Sequence, residues 1–145
     1  MWLTDVSTDA LDVARANAAG IGRAGANVRV GVGSWYEALP VHLRGSIDVI
    51  VSNPPYIAPD DPELEHQVAD HEPALALFAE DHGLAHVRTV VSQAPAWLRI
   101  GGALVLEIGH RQGDAVRRLL ADARLRDIEI RRDLAGRDRI ALARR

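Results

Sequence analysis

The feature that most constrains the fold is a β-branched, largely apolar run, Ile47 to Val51, that is separated by two residues from a pair of prolines. Such a run is typical of a buried strand in a parallel sheet. Proline lacks a backbone N–H and has a fixed φ, so the strand cannot continue through Pro54 and Pro55. The chain therefore leaves the sheet near Asn53, at the carboxyl edge where open α/β sheets bind ligands.

Strands and helices alternate along the rest of the chain, which predicts an α/β fold with a Rossmann-like, doubly wound and mostly parallel sheet. The last two strands alternate in polarity around Gly136, which favours a C-terminal antiparallel hairpin. The proline-dense stretch from Asn53 to about Asp81 predicts a long ordered loop. The predicted helices follow Ser7-Thr8-Asp9 and span about 84–98 and 112–123; the predicted strands lie near 2–6, 28–32, 47–52, 103–108, 127–131 and 138–143.

Length and composition limit the classes of protein to which the chain can belong. A chain of 145 residues with 48% apolar content fits one domain, residues 1–145. No window resembles a membrane span or a signal peptide, and cysteine is absent, so we expect a cytoplasmic protein without disulfides. A net charge of -3 argues against a nucleic-acid partner. The alternating charges from Arg111 to Arg145 indicate a solvated face.

The motif Asn53-Pro54-Pro55-Tyr56 carries the predicted chemistry. The prolines hold the Asn53 side chain and the Pro54 carbonyl in one orientation, where both can accept N–H groups of a planar amide or aromatic amine. A nitrogen gripped in this way can attack a methyl donor without an ionisable base, because carbonyl dipoles favour its developing positive charge. Tyr56 would stack on the planar group. A proline-rich turn without chemistry is the alternative.

Further segments make the chain resemble the bacterial release-factor glutamine methyltransferases, and this resemblance covers essentially all 145 residues. The resemblance implies a class I fold and methyl transfer from S-adenosylmethionine to the side-chain amide of a glutamine in a Gly-Gly-Gln motif of peptide chain release factors. Besides the motif, the segments that carry it are Glu72-Pro73 with Ala76-Leu77, Asp81 through Gly83-Leu84, Glu107-Ile108-Gly109 with Gln112, and Arg132 to Arg139.

By the same resemblance, Asp5 binds the ribose hydroxyls of the cofactor, Ser34 and Trp35 lie beside its adenine, and Asn53 lies next to both cofactor and substrate amide. Ser34 stands where the family often has an acidic residue, which predicts a weaker contact. Asp5 could instead cap the following helix. Trp35 is expected to belong partly to the core.

The family's N-terminal helical domain, first strand and glycine-rich loop have no counterpart in the chain. Gly20-Ile21-Gly22 and Gly31-Val32-Gly33 are interpreted as a helix end and a strand end, because neither joins a first strand to a helix. We therefore expect a partial catalytic domain that alone binds S-adenosylmethionine very weakly and is inactive. A complementing N-terminal segment could restore it.

Two other functions remain open at this stage. A nucleic-acid adenine amino-methyltransferase would use the same motif on a flipped base, although the net charge and Glu72-Pro73 argue against it. A non-catalytic remnant acting through a partner is the other alternative. His82 and His86 have helical spacing, with His66 and His71 nearby, but no carboxylates match them and we expect no metal site.

Overall fold

A computed structural model describes residues 1–59 and 73–145. Glu72, His66 and His71 therefore lie outside the described residues. The chain divides into two compact units, Met1–Leu43 and Arg44–Arg145, and each is described by itself below.

The first unit is a β-α-β arrangement. Strand β1 (Trp2–Asp5) pairs in parallel with β2 (Arg29–Val32), and helix α1 (Thr8–Gly20) connects them. Ser7 caps α1, because its side-chain oxygen accepts the Ala10 N–H at 3.2 Å. Three short 3-10 helices complete the unit, at Gly22–Asn27, Trp35–Ala38 and Val41–Leu43.

The second unit contains a four-stranded sheet. Its strands are β3 (Ile47–Ser52), β4 (Leu98–Glu107), β5 (Arg126–Arg132) and β6 (Asp138–Arg144). They lie in the order β3-β4-β6-β5, with β3 and β4 parallel and β6 antiparallel to both of its neighbours. The predicted hairpin of β5 and β6 is thus confirmed, and α/β architecture with a mixed sheet is present.

Helices of the second unit cover this sheet with apolar faces. Two one-turn segments, α2 (Ala74–Leu77) and α3 (Glu80–Gly83), precede α4 (Ala85–Trp97), and α5 (Gly113–Asp122) follows β4. Alternate residues of β4 are buried, as expected for one face of a strand. The core contains Val87, Val90, Val91, Ala94 and Trp97 of α4, Leu98, Leu104 and Leu106 of β4, and Val116 and Leu120 of α5.

Two predictions about the strands were wrong in detail. Strand β4 begins at Leu98 instead of near residue 103, because the chain passes Gly101-Gly102 without leaving the sheet and Gly101 adopts φ +78°. The register between β3 and β4 shifts there, as in a β-bulge. Strand β3 is not buried: Val49 and Val51 are 53% and 74% exposed, since among the described strands β3 pairs with β4 alone and forms the edge of its sheet.

Candidate active site

The Asn-Pro-Pro-Tyr motif follows β3 directly and lines a cavity of about 260 Å³ in the second unit. Pro54 is buried, whereas Asn53 is exposed and its side chain makes no hydrogen bond to another described residue. The role predicted for Asn53 and the Pro54 carbonyl as acceptors stays a prediction. The cavity is lined by Asn53, Pro54, Pro55, Tyr56, Ile57, Ala76, Leu77 and Glu107.

The segment from Pro73 to Ala79 lies beside the motif and forms part of the cavity wall. Ile57 donates its N–H to the Leu77 carbonyl at 3.0 Å, and Ala79 donates to the Ile57 carbonyl at 2.8 Å. These bonds make a parallel bridge between Ile57 and Phe78. The described part of the segment that resembled the family thus lies against the motif.

Two residues from the C-terminal part of the chain contact the Tyr56 hydroxyl. Tyr56 donates to Glu107 Oε1 at 3.0 Å, and Arg139 Nη1 lies 3.5 Å from the Tyr56 oxygen. Arg139 Nε also lies 3.6 Å from a carboxylate oxygen of Asp133. Residues from the strand end of β4 and from the hairpin therefore fix the tyrosine ring.

A third residue, Gln112, fixes the backbone of the motif. Its Nε2 donates to the carbonyls of Tyr56 at 3.0 Å and His82 at 3.3 Å, and its Oε1 accepts the Gly109 N–H at 2.9 Å. Gly83 lies in the same place with φ +80°, and a Cβ there would be 2.1 Å from the Tyr56 carbonyl oxygen. Only glycine fits this position.

The sequence pointed to these segments but did not assign them these contacts. Glu107, Gln112 and Arg139 were recognised as parts of family-like segments, whereas the structure brings all three to Tyr56. A usable signal was present, because Glu107 ends the strand beside β3 and a polar residue at such an end faces the same sheet edge as the motif.

Asp5, Ser34 and Trp35 lie in the first unit. Asp5 ends β1 and its Oδ1 accepts the Ser7 N–H at 2.8 Å, so it supports the start of α1 without being its cap. Its other oxygen, Oδ2, has no partner among the described residues. Ser34 is exposed, and half-buried Trp35 adopts φ +49°, a left-handed conformation that costs a residue other than glycine about 1–2 kcal/mol.

The two glycine pairs have the structural roles that the sequence indicated. Gly20 ends α1 and Gly22 follows with φ +63°. Gly31 and Gly33 lie in and after β2, where a Cβ at Gly31 would meet the Ala38 carbonyl oxygen at 2.6 Å. Neighbouring Tyr36 is buried, and this burial raises the pKa of its phenol.

Residues 1–59 and 73–145 contain no cluster of three or more metal-ligating side chains. His82 is exposed and adopts φ +54°, so it does not share a regular helix with His86. In the same described ranges, no helix is long and apolar enough to cross a membrane.

Comparison with known proteins finds curated relatives of named function. The chain is 48% identical over 138 residues to the release factor glutamine methyltransferase of Bordetella pertussis, and the match covers 95% of this chain. The chain is homologous to part of the release factor glutamine methyltransferases. The corresponding protein of Burkholderia pseudomallei is 46% identical over 142 residues, which cover 96% of this chain. No protein-family model matches the chain.

A solved member of the release factor glutamine methyltransferase family supports the fold. The protein-(glutamine-N5) methyltransferase (release factor-specific) of Alicyclobacillus acidocaldarius superimposes with a TM-score of 0.50 at 25% identity, and covers 99% of this chain and 78% of that one. The fold is thus that of a Rossmann-like class I methyltransferase. The chain spans about half the length of the curated relatives it matches, 49% in both cases given.

Proposed function

We propose that this chain takes part in methyl transfer from S-adenosylmethionine to the side-chain amide of a glutamine in a peptide chain release factor. The observation that carries the proposal is Asn53, an exposed amide on a cavity, attached to a buried proline and without a hydrogen bond to other described side chains or backbone. Relatives named release factor glutamine methyltransferase support the choice of substrate.

Asn53 and Pro54 would bind the reacting amide. A carboxamide nitrogen is a poor nucleophile because its lone pair is delocalised into the carbonyl, so its two N–H groups need acceptors that hold it in one direction. The Asn53 side-chain oxygen and the Pro54 carbonyl are those acceptors. Their dipoles also favour the positive charge that the nitrogen gains during the transfer.

Pro55 and Tyr56 would enclose the amide. Glu107 accepts a hydrogen bond from the Tyr56 hydroxyl, and Gln112 donates one to the Tyr56 backbone carbonyl. The tyrosine ring is therefore already fixed before the substrate binds. A wall that is already ordered lowers the entropic cost of placing the amide. It also excludes water, which strengthens the hydrogen bonds to Asn53.

Asp5, Ser34 and Trp35 would hold the adenosine end of the cofactor. The fit is chemical: Asp5 keeps one carboxylate oxygen free of described partners, and a carboxylate suits a ribose diol. Trp35 offers a large half-buried ring to an adenine. When bound, S-adenosylmethionine supplies an electrophilic methyl group on a sulfonium.

The proposal can be tested in a chimera of known activity. The matching part of the Bordetella pertussis protein, 138 residues, is replaced by the corresponding residues of this chain. We expect the chimera to methylate a release factor on its glutamine amide, as shown by mass spectrometry of the digested substrate. The same chimera with Asn53→Ala is the matched control.

Two outcomes would contradict the proposal. One is an inactive chimera in an assay where the unaltered Bordetella protein is active, which would favour a non-catalytic role through a partner. The other is methyl transfer to adenine in DNA or RNA without transfer to the release factor, which would favour a nucleic-acid methyltransferase.

A further inference from the structure

Glu107 is the one charged side chain among the described residues that line the cavity. It is half-buried at the end of β4, and Oε1 accepts the Tyr56 hydroxyl at 3.0 Å. A neutral acceptor, such as a glutamine at this position, could accept the same bond. The hydrogen bond to Tyr56 therefore does not explain why this position carries a negative charge.

Among the described residues, the cation near Tyr56 is shared with a second carboxylate. Arg139 approaches the Tyr56 hydroxyl at 3.5 Å, but its guanidinium also lies 3.6 Å from the Asp133 carboxylate. Neither Arg139 nor Asp133 belongs to the described lining of the cavity, in which Glu107 is the one charged residue. The described part of the wall therefore keeps a negative charge next to Tyr56.

We propose that Glu107 determines specificity: its carboxylate makes the cavity accept a neutral side-chain amide and reject a side-chain carboxylate. This inference rests on the proposed function, since it concerns the same site. Glutamine and glutamate side chains have nearly the same size and shape, so packing against Pro55 and Tyr56 cannot distinguish them. Charge and N–H groups distinguish them, and a fixed carboxylate opposes an anion in a partly desolvated site.

A negative charge at Glu107 also keeps out a side chain that the acceptors of the site cannot bind. Asn53 and the Pro54 carbonyl present acceptors to the substrate, and a carboxylate has no N–H to offer them. A glutamate side chain that entered would leave those acceptors unpaired, but its charge could still attract Arg139. Glu107 opposes the entry of that anion, because its carboxylate lines the cavity beside Tyr56.

The test is a titration of the full 145-residue chain with two blocked peptides, acetyl-Gly-Gly-Gln-amide and acetyl-Gly-Gly-Glu-amide, at neutral pH. The residues that line the cavity all belong to the second unit, so the chain itself carries the site. Binding is measured from ¹⁵N–¹H chemical-shift changes. We expect the glutamine peptide to bind at least about tenfold more tightly than the glutamate peptide.

Three variants separate charge from structure. Glu107→Gln keeps an acceptor for Tyr56 but removes the charge, and we expect the preference to fall to about threefold or less. Glu107→Asp keeps the negative charge and should retain most of the preference for the glutamine peptide. Glu129→Gln makes the same change in net charge at an exposed residue of β5 paired with Arg131, and should leave the preference unchanged.

Equal binding of the two peptides by the wild type, or no detectable binding of either, overturns the proposal, as does an unchanged preference in Glu107→Gln. The fold of each variant is checked by its thermal unfolding. Failure of the proposed function can be distinguished from failure of the role of Glu107. If the chimera transfers no methyl group but the 145-residue chain still prefers the glutamine peptide, the proposed function alone is contradicted. Methyl transfer to glutamine with an unchanged preference in Glu107→Gln contradicts the role of Glu107 alone.

Discussion

Gln112 and Tyr56 are joined by a hydrogen bond of 3.0 Å between the Gln112 side-chain amide and the Tyr56 carbonyl, although 56 residues separate them in the chain. The same amide group binds the His82 carbonyl and the Gly109 N–H. One side chain therefore holds together the motif, the segment around His82, and the turn after β4. The position of the candidate amide-binding residues depends on a residue that does not line the cavity.

Replacing Gln112 should destabilise the second unit. Gln112→Leu leaves the Tyr56 carbonyl and the Gly109 N–H without this partner, which should lower the free energy of unfolding by about 1–3 kcal/mol. Gln112→Glu keeps an acceptor for Gly109 but loses both donated bonds, so it should be destabilised as well. Urea denaturation measures both, and stability within about 0.3 kcal/mol of the wild type in either variant would contradict the role given to Gln112.

Gly83→Ala should cost far more than a glycine substitution at a comparable backbone angle. Gly136 has φ +77°, close to the +80° of Gly83, but a Cβ at Gly136 meets nothing within 4 Å. Gly136→Ala should therefore cost about 1 kcal/mol, from left-handed strain alone. Gly83→Ala adds a collision with the Tyr56 carbonyl and should cost about 3 kcal/mol or more. Equal unfolding free energies for the two variants would show that the close approach is not required.

Asn53→Ala should remove methyl transfer while leaving the fold intact. In the chimera, the loss of a positioned acceptor should lower kcat/KM for the release factor by about 100-fold or more. Affinity for S-adenosylmethionine should change less, and the unfolding temperature hardly at all, because Asn53 is exposed. Unaltered turnover by this variant would exclude Asn53 from the mechanism.

Asp133 makes the hairpin sensitive to acid. The backbone N–H of Arg137, then that of Ala135, donates to its carboxylate at 2.9 Å, and with Arg139 and Arg137 nearby these bonds lower its pKa. A folded-state pKa below the unfolded value of about 3.9 stabilises the fold above that value, and the stabilisation is lost as the pH falls through the folded pKa. Asp133→Asn should therefore reduce the loss of stability between neutral and acidic pH, as measured by thermal unfolding. An identical pH profile would contradict this.

Local patterns predicted most of the fold. The apolar alternation of Asp127 to Arg131 and of Arg139 to Ala143, together with Gly136, was sufficient to predict the hairpin, because its pairing is local. The order β3-β4-β6-β5 was not predicted, since it depends on which distant strands meet. The burial of β3 was misjudged for the same reason: Val49 and Val51 look like buried residues in sequence, whereas exposure depends on the number of neighbouring strands.

The candidate site was predicted where chemistry follows from residue type and position. Asn53 to Tyr56 stood out because prolines after a strand restrict the backbone. The hydrogen bond from Tyr56 to Glu107 joins residues 51 positions apart, and no local sequence pattern predicts a contact between residues so far apart in the chain. The left-handed conformations of Asp81 and His82 were also unexpected, since neither residue is glycine.

The position of β6 has a consequence for how the sheet assembles. Strand β5 is synthesised before β6 but pairs, among the described strands, with β6 alone, and β6 also pairs with β4. During synthesis β5 therefore leaves the ribosome before its partner strand exists. It can join the sheet only after residues Asp138 to Arg144 have been synthesised and lie between β5 and β4. Because Tyr56 is held in part by Arg139, the wall of the cavity is completed only after β6 has been synthesised. Variants that weaken the pairing of β6 should therefore leave β5 unpaired as well.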